Sequence, residues 1–146
     1  MTEQRVCLVT GVGPGTGAAL VRRFAKEGYR VAMLARSADR LAELESEIDN
    51  ATAFVCDVTD TAALTQTVRA IRDTLGAPNV VVHNAVGGAM GNFREIAPEV
   101  LENNFRINTL ALLHLAKLTV DDMIEAGTGV ILCTGNTSAY RGKANF

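Results

Sequence analysis

The sequence predicts an α/β fold built on a doubly wound parallel sheet, and three observations predict it. Short apolar runs alternate with stretches of helical period along the chain. The runs are apolar on consecutive residues, the pattern of strands covered on both faces. A cluster of glycines follows the first run. Alternation of this kind builds strand–helix–strand units joined by right-handed crossovers.

Each element has its own signal. Arg5–Thr10 reads as a buried strand through Val6, Cys7, Leu8 and Val9. Gly11–Gly17 is a glycine-rich turn. Ala18–Glu27 carries Leu20, Val21, Phe24 and Ala25 at helical spacing, and Gly28 closes that helix. Val31–Ala35 is a second strand, after which Ser37 is expected to cap a helix with Leu41 and Leu44 inward. Ala53–Cys56 forms a third strand. Asp60 caps the next helix, which runs through Leu64, Val68, Ile71 and Leu75. Val80–Val82 is a fourth strand, followed by a loop from Asn84 to Asn92 containing Gly87, Gly88 and Gly91. A long helix is expected from about Pro98 to Ala126, stopped by Gly127 and Gly129, before a fifth strand at Val130–Leu132. Thr134–Phe146 is polar and completes no further unit. The reading is one domain over residues 1–146, incomplete at its C-terminus and lacking the last strands of such a sheet.

Composition sets outer bounds. A chain of 146 residues with 48% hydrophobic and 21% charged residues has enough apolar material for a core. A net charge of −2 argues against a nucleic-acid binder. No apolar run is long enough to span a bilayer, and Met1–Arg5 carries no secretory pattern. Cys7, Cys56 and Cys133 are far apart and sit in or beside apolar runs. They read as unpaired, buried filler in a reducing, cytoplasmic compartment, with no metal site.

The chemistry begins at Thr10-Gly11-Val12-Gly13-Pro14-Gly15-Thr16-Gly17. Glycine lets backbone approach a ligand closely, and the following helix offers unpaired N–H groups and a positive dipole end to a diphosphate. A strand before the loop and a helix after it favour a dinucleotide site over a plain tight turn. Gly11, Gly13, Gly15, Thr16 and Gly17 are therefore candidate cofactor-binding residues. An NAD-selective fold places an acid at the tip of the second strand, about 20 residues beyond the loop. Here the tip reads Leu34-Ala35-Arg36-Ser37. Arg36 would meet a ribose 2′-phosphate with a charge-assisted contact, which favours NADP(H) and leaves NAD(H) as the other possibility. Asp57, after the third strand, can accept a hydrogen bond from the adenine amino group. The N–H of Val58 can reach a ring nitrogen. Capping of a turn is the competing role for Asp57.

With these residues in place, the sequence resembles the short-chain dehydrogenase/reductase family, whose cofactor domain is of Rossmann type. Thr10-Gly11-x-x-x-Gly15-x-Gly17 is similar to its cofactor loop, and Cys56-Asp57-Val58 to its adenine-binding pair. His83-Asn84-Ala85 resembles the Asn-Asn-Ala-Gly segment after its fourth strand. Arg106-Ile107-Asn108 resembles the segment bearing its helix asparagine, and Gly129-Val130-Ile131-Leu132 its fifth strand. The resemblance implies an NAD(P)-dependent oxidoreductase acting on a small alcohol or carbonyl substrate. It implies that Asn84 and Ala85 help form the nicotinamide side of the cleft. Asn108 would correspond to an asparagine that holds a proton-relay water. It also implies pairing of the long helix with a second copy, hence a homo-oligomer.

The chain departs from the family pattern in three places. Val86 stands where the family has glycine after Asn-Ala. Asn136 stands at the position of the catalytic serine, with Ser138 as an alternative hydrogen-bond donor from a rearranged loop. The family's Tyr-x-x-x-Lys pair falls past Phe146 by its own spacing. Lys143 stands three positions after Tyr140 rather than four, with Gly142 between them, so neither is assigned a catalytic role. Catalytic candidates are thus Asn108, Asn136 and Ser138. The 146 residues alone are expected to turn over little substrate. The second reading is a non-catalytic nucleotide-binding sensor or scaffold. His83 at a strand end and His114 within Leu112–Ala116 read as structural histidines.

Overall fold

The computed structural model describes residues 5–142. Five parallel strands form one sheet: β1 (Val6–Thr10), β2 (Arg30–Ala35), β3 (Ala51–Val55), β4 (Val80–His83) and β5 (Val130–Cys133). Their order across the sheet is β3-β2-β1-β4-β5. The chain first winds outward from β1 to β3, then crosses back to β4 beside β1. This crossing makes a topological switch point between β1 and β4, and a crevice opens there beyond the carboxyl ends of the strands. In that region Thr10 of β1 lies opposite Leu34 of β2 on one side and His83 of β4 on the other.

The doubly apolar strands sort their residues to two cores, one on each face. Val6 and Leu8 join Ala32, Leu34 and Val81 under α3 (Thr61–Leu75) and α5 (Ala111–Glu125). Cys7 and Val9 join Val31, Met33 and Val82 under α1 (Thr16–Lys26) and α2 (Ala38–Glu47). All five residues of β1 are buried, as befits the central strand. Each fully buried Leu or Val contributes about 1.5–3 kcal/mol relative to exposure, so the two faces anchor the crevice from below.

Most element boundaries fall where the periodicity places them, and the differences have physical reasons. α1 starts at Thr16 and takes Gly17 into its first turn. β3 begins at Ala51, two residues early, because parallel pairing with β2 (Val31 opposite Ala51) recruits residues with little strand signal of their own. Asp60 caps α3 as expected, its carboxylate accepting from the N–H of Ala63 at 2.9 Å. Ser37 does not cap α2 with its side chain. Its backbone carbonyl accepts from Leu41 instead, and the residue lines the cavity described below.

The expected single helix from Pro98 to Ala126 is divided. α4 (Pro98–Phe105) leads into a π-turn (Arg106–Leu110), and α5 follows. At the π-turn the N–H of Ala111 reaches back five residues to the carbonyl of Arg106. Such wide turns have no composition signature and concentrate at functional sites. Cys7 and Cys56 are buried as expected. Cys133 is exposed, because it ends β5, one of the two edge strands among the described residues.

Candidate functional site: the crevice at the β1–β4 switch point

The glycine loop is fixed from two sides. Gly11 has φ +66°, and a Cβ there would lie 2.5 Å from Cα and N of Ala85. A Cβ on Gly17 would lie 2.6 Å from the carbonyl oxygen of Gly11, so α1 can sit this close to the loop only without a side chain. Gly13 and Gly15 differ: a Cβ on either would meet nothing within 4 Å. Their backbone borders open space, which is what a ligand needs to come near. No side chain caps the start of α1 and no acid stands in its first turn, so the positive end of its dipole is unopposed there.

The facing loop is held to β1 by Thr10 and Asn84. Thr10 Oγ1 accepts from the backbone N–H of Asn84 and of Ala85, each at 3.2 Å. The side-chain amide of Asn84 donates to the carbonyl of Gly11 at 2.9 Å. Both walls of the crevice are thereby locked to each other across the switch point.

One end of the crevice is a cavity of about 310 Å³. Gly11, Gly13, Arg36, Asp57, Val58 and Ala85 line it. Ser37, Arg40, Cys56 and Thr59 also line it. Arg40 carries no motif that marks it in the sequence. It lies in the first turn of α2, close in sequence to Arg36, and both residues line the cavity. Asp57 accepts from the backbone N–H of Thr59 at 2.9 Å and from its hydroxyl at 2.8 Å. These bonds, the backbone one foremost, hold its carboxyl below the ordinary aspartate value, and the Arg36 charge adds to the effect. The turn-capping role and the cavity-lining role of Asp57 therefore coexist.

The other end is a cavity of about 850 Å³ lined by the glycine loop, His83, Asn84, Ala85, Val86, Asn108, Cys133, Thr134 and Asn136. Asn108 sits in the π-turn and makes a two-way clasp with one backbone unit. Gly87 N–H donates to its Oδ1 at 2.8 Å, and its Nδ2 donates to the Gly87 carbonyl at 2.9 Å. The lone amide amid Ile107 and Leu110 thus finds the partners that burial demands. Asn136 reaches the same cavity. Its Oδ1 accepts from the N–H of Ser138 at 2.9 Å and caps a short 3-10 turn (Thr137–Ala139). Its Nδ2 is the group left to serve a ligand. Ser138 is not among the residues lining either cavity, so the structure joins Asn108 and Asn136 but not Ser138. Tyr140 is 92% exposed, and Lys143 lies outside the described residues. Among the described residues no group of His, Cys, Asp and Glu is arranged to hold a metal.

Comparison with known proteins gives this architecture relatives. The family model described as short chain dehydrogenase matches residues 5–146. A putative ketoacyl reductase of Streptomyces coelicolor is 31% identical over 146 residues, covering 96% of this chain and 56% of its own. D-erythrulose reductase of Gallus gallus is 30% identical over 138 residues, covering 94% of this chain and 54% of its own. Among solved structures, an actinorhodin polyketide ketoreductase with NADPH superposes with a TM-score of 0.91 at 29% identity, over 97% of this chain and 57% of that one. NAD+-bound xylitol dehydrogenase gives 0.89 at 29% identity, over 97% and 56%. The chain thus spans about half the length of the curated relatives it matches. A family match over residues 5–146, together with close superposition on solved structures at TM-scores of 0.89 and 0.91, establishes that the chain belongs to the short-chain dehydrogenase family.

Proposed function

We propose that residues 1–146 form the dinucleotide-binding domain of an oxidoreductase that uses NADP(H) on an alcohol or carbonyl substrate. One observation carries the NADP(H) preference: the cavity at the tip of β2 is lined by Arg36, Ser37 and Arg40, and the tip carries no acid. Two guanidinium groups beside a hydroxyl suit a ribose 2′-phosphate, and an acid to hold a free 2′-hydroxyl is missing. Relatives are split on this point, since neighbours were solved with NADPH and with NAD+.

The chain's residues fit a dinucleotide along the whole crevice. Asp57 and the N–H of Val58 would take the adenine. Backbone from Gly13 to Gly17, with Thr16, would take the diphosphate, since no side chain intrudes at Gly13 or Gly15. Asn84 and Ala85 would flank the nicotinamide. When bound, the cofactor supplies or accepts a hydride. The protein groups facing that end orient rather than transfer protons. Asn136 offers Nδ2–H₂ to a substrate oxygen, and Asn108 fixes the wall through Gly87. The residues described contain no ionisable acid–base pair in the 850 Å³ cavity comparable to the family's Tyr-x-x-x-Lys. Residues 1–146 alone are therefore expected to bind cofactor without sustained turnover.

The position of Asn136 also favours a second reading, a nucleotide-binding sensor or scaffold that keeps the crevice without the chemistry. Leu101, Phe105, Leu113 and Ile124 on α4 and α5 are exposed apolar side chains, which suits packing against a second copy. Three unpaired cysteines suit a reducing, cytoplasmic compartment. Neither nucleic acid nor a membrane is proposed as a partner, and no helix among the described residues is long and apolar enough to cross a bilayer.

The test is an equilibrium titration followed by fluorescence. NADPH is expected to bind at least about tenfold more tightly than NADH, the worth of one charge-assisted contact. NADH binding as tightly as NADPH would end the preference, and binding of neither would end the cofactor reading.

A further inference from the structure

His83 ends β4 inside the crevice floor and is 3% exposed. Its protonation state follows from counting hydrogens. The Thr10 hydroxyl has one hydrogen and two acceptor lone pairs. Both lone pairs are engaged by the N–H groups of Asn84 and Ala85 at 3.2 Å. The hydroxyl hydrogen therefore goes to Nδ1 of His83, 3.0 Å away. An accepting Nδ1 fixes the neutral tautomer with hydrogen on Nε2, and Nε2 donates to the carbonyl of Ile107 at 2.9 Å. Ile107 lies in the π-turn, immediately before Asn108, which clasps Gly87.

We propose that His83 is a positioning residue of the dinucleotide crevice. Its neutral Nε2–H tautomer ties Thr10 to the π-turn and so holds the Asn84–Ala85 amides and the Asn108–Gly87 clasp in one arrangement. This deepens, and rests on, the cofactor reading above. One imidazole accepts from β1 and donates to the π-turn, joining three segments that sequence separates by 73 and 24 residues.

The arrangement is sensitive to protonation. A hydrogen added at Nδ1 would face a hydroxyl whose lone pairs are already taken, so Thr10 would have to release an amide or the ring would have to move. Burial lowers the pKa of His83 below the ordinary 6.5, with the Ile107 bond opposing in part and no charged neighbour contributing. The groups around it are Thr10 on β1, the Ile107 carbonyl on the π-turn and its register partner Cys133 on β5. Arg106, which opens the π-turn, is exposed. The fold therefore favours the neutral ring. The linkage is intact above 6.5 and is lost as pH falls through the lowered folded value.

The experiment is an NMR pH titration of the intact protein without nucleotide, joined to NADPH titrations of His83→Gln and His83→Leu. In the wild type, the Ala85 and Gly87 amide resonances are expected to move with the His83 ring at one shared midpoint below 6.5. In H83Q, Oε1 can accept from Thr10 while Nε2 donates to Ile107. Its Ala85 and Gly87 amides are expected to be flat, with NADPH affinity within about threefold of wild type. H83L, lacking both bonds, is expected to lose about tenfold or more. Amides that ignore the ring titration would overturn the proposal, and so would H83L binding as wild type or H83Q failing as badly as H83L. If H83L does not fold, the contrast between wild type and H83Q decides alone. A wild type that shows the ring–amide coupling but binds no NADPH would refute the cofactor reading and leave the His83 linkage standing.

Discussion

Replacing Arg36 with alanine separates a phosphate-reading arginine from a solvated one. Arg36 stands at the tip of β2 and lines the 310 Å³ cavity together with Arg40 and Asp57, whose carboxyl feels its charge. At about 4 Å, a unit charge pair is worth about 1 kcal/mol in water and about 4 kcal/mol near a protein surface of effective dielectric 20. Arg36 is exposed, so the lower half of that range applies. A charge-assisted hydrogen bond measured by mutation, about 1.5–3 kcal/mol, agrees with it. At about 1.4 kcal/mol per decade, R36A should weaken NADPH binding by about 10- to 100-fold. NADH carries no 2′-phosphate, so its affinity should change by less than about threefold. Arg40 remains in R36A, so the double variant R36A/R40A should lose a further decade for NADPH only. The assay is paired fluorescence titration at two ionic strengths, since a contact of this kind weakens with salt. Equal loss for both cofactors would mean that Arg36 only shapes the turn, and no loss for either would mean that the phosphate is not there.

Other variants test the remaining parts of the crevice. Gly11→Ala puts a methyl 2.5 Å from Ala85 at φ +66° and should cost more than about 2 kcal/mol in urea unfolding. Gly13→Ala meets nothing within 4 Å, so it should leave stability within about 0.5 kcal/mol while lowering NADPH affinity. If both glycines behave alike, the distinction between a packing glycine and a ligand-facing one is wrong. Asn108→Ala removes both bonds to Gly87 and should raise the exchange rate of the Gly87 amide by about tenfold or more, read by hydrogen exchange. An unchanged rate would mean that the clasp does not hold the loop. Among the cysteines, burial pushes Cys7 up to about 12, and Cys133 is exposed. Alkylation at pH 8 followed by mass spectrometry should therefore mark Cys133 long before Cys7, and the reverse order would contradict the burial of β1.

The parts of this fold that the sequence discloses are those whose signal is local. β1 and the glycine turn are legible because a doubly buried strand and a loop that excludes Cβ atoms both leave their mark on consecutive residues. Asp60 is legible as a cap for the same reason. The π-turn is not, because Arg106–Leu110 has the composition of ordinary helix and its widened turn answers to contacts with Gly87 and His83. His83 reads as structural from its place at a strand end, and its two bonds agree. Its link to Ile107, however, depends on the pairing of β4 beside β1, which no local pattern announces. Ser37 looks like a cap and lines a cavity instead, since the same hydroxyl chemistry serves both. Ser138 and Asn136 lie two residues apart, and only the direction of the loop after β5 decides which one reaches the crevice.

One dinucleotide is expected to lie along the crevice with its adenosine end between β2 and β3. A crystal structure of the protein with NADPH tests this most directly. The 2′-phosphate is expected between Arg36 and Arg40 and the adenine against Asp57 and Val58. The diphosphate is expected at Gly13–Thr16 and the nicotinamide in the cavity of Asn84, Asn108 and Asn136. A nucleotide bound with its ends reversed, or bound away from the switch point, would contradict it.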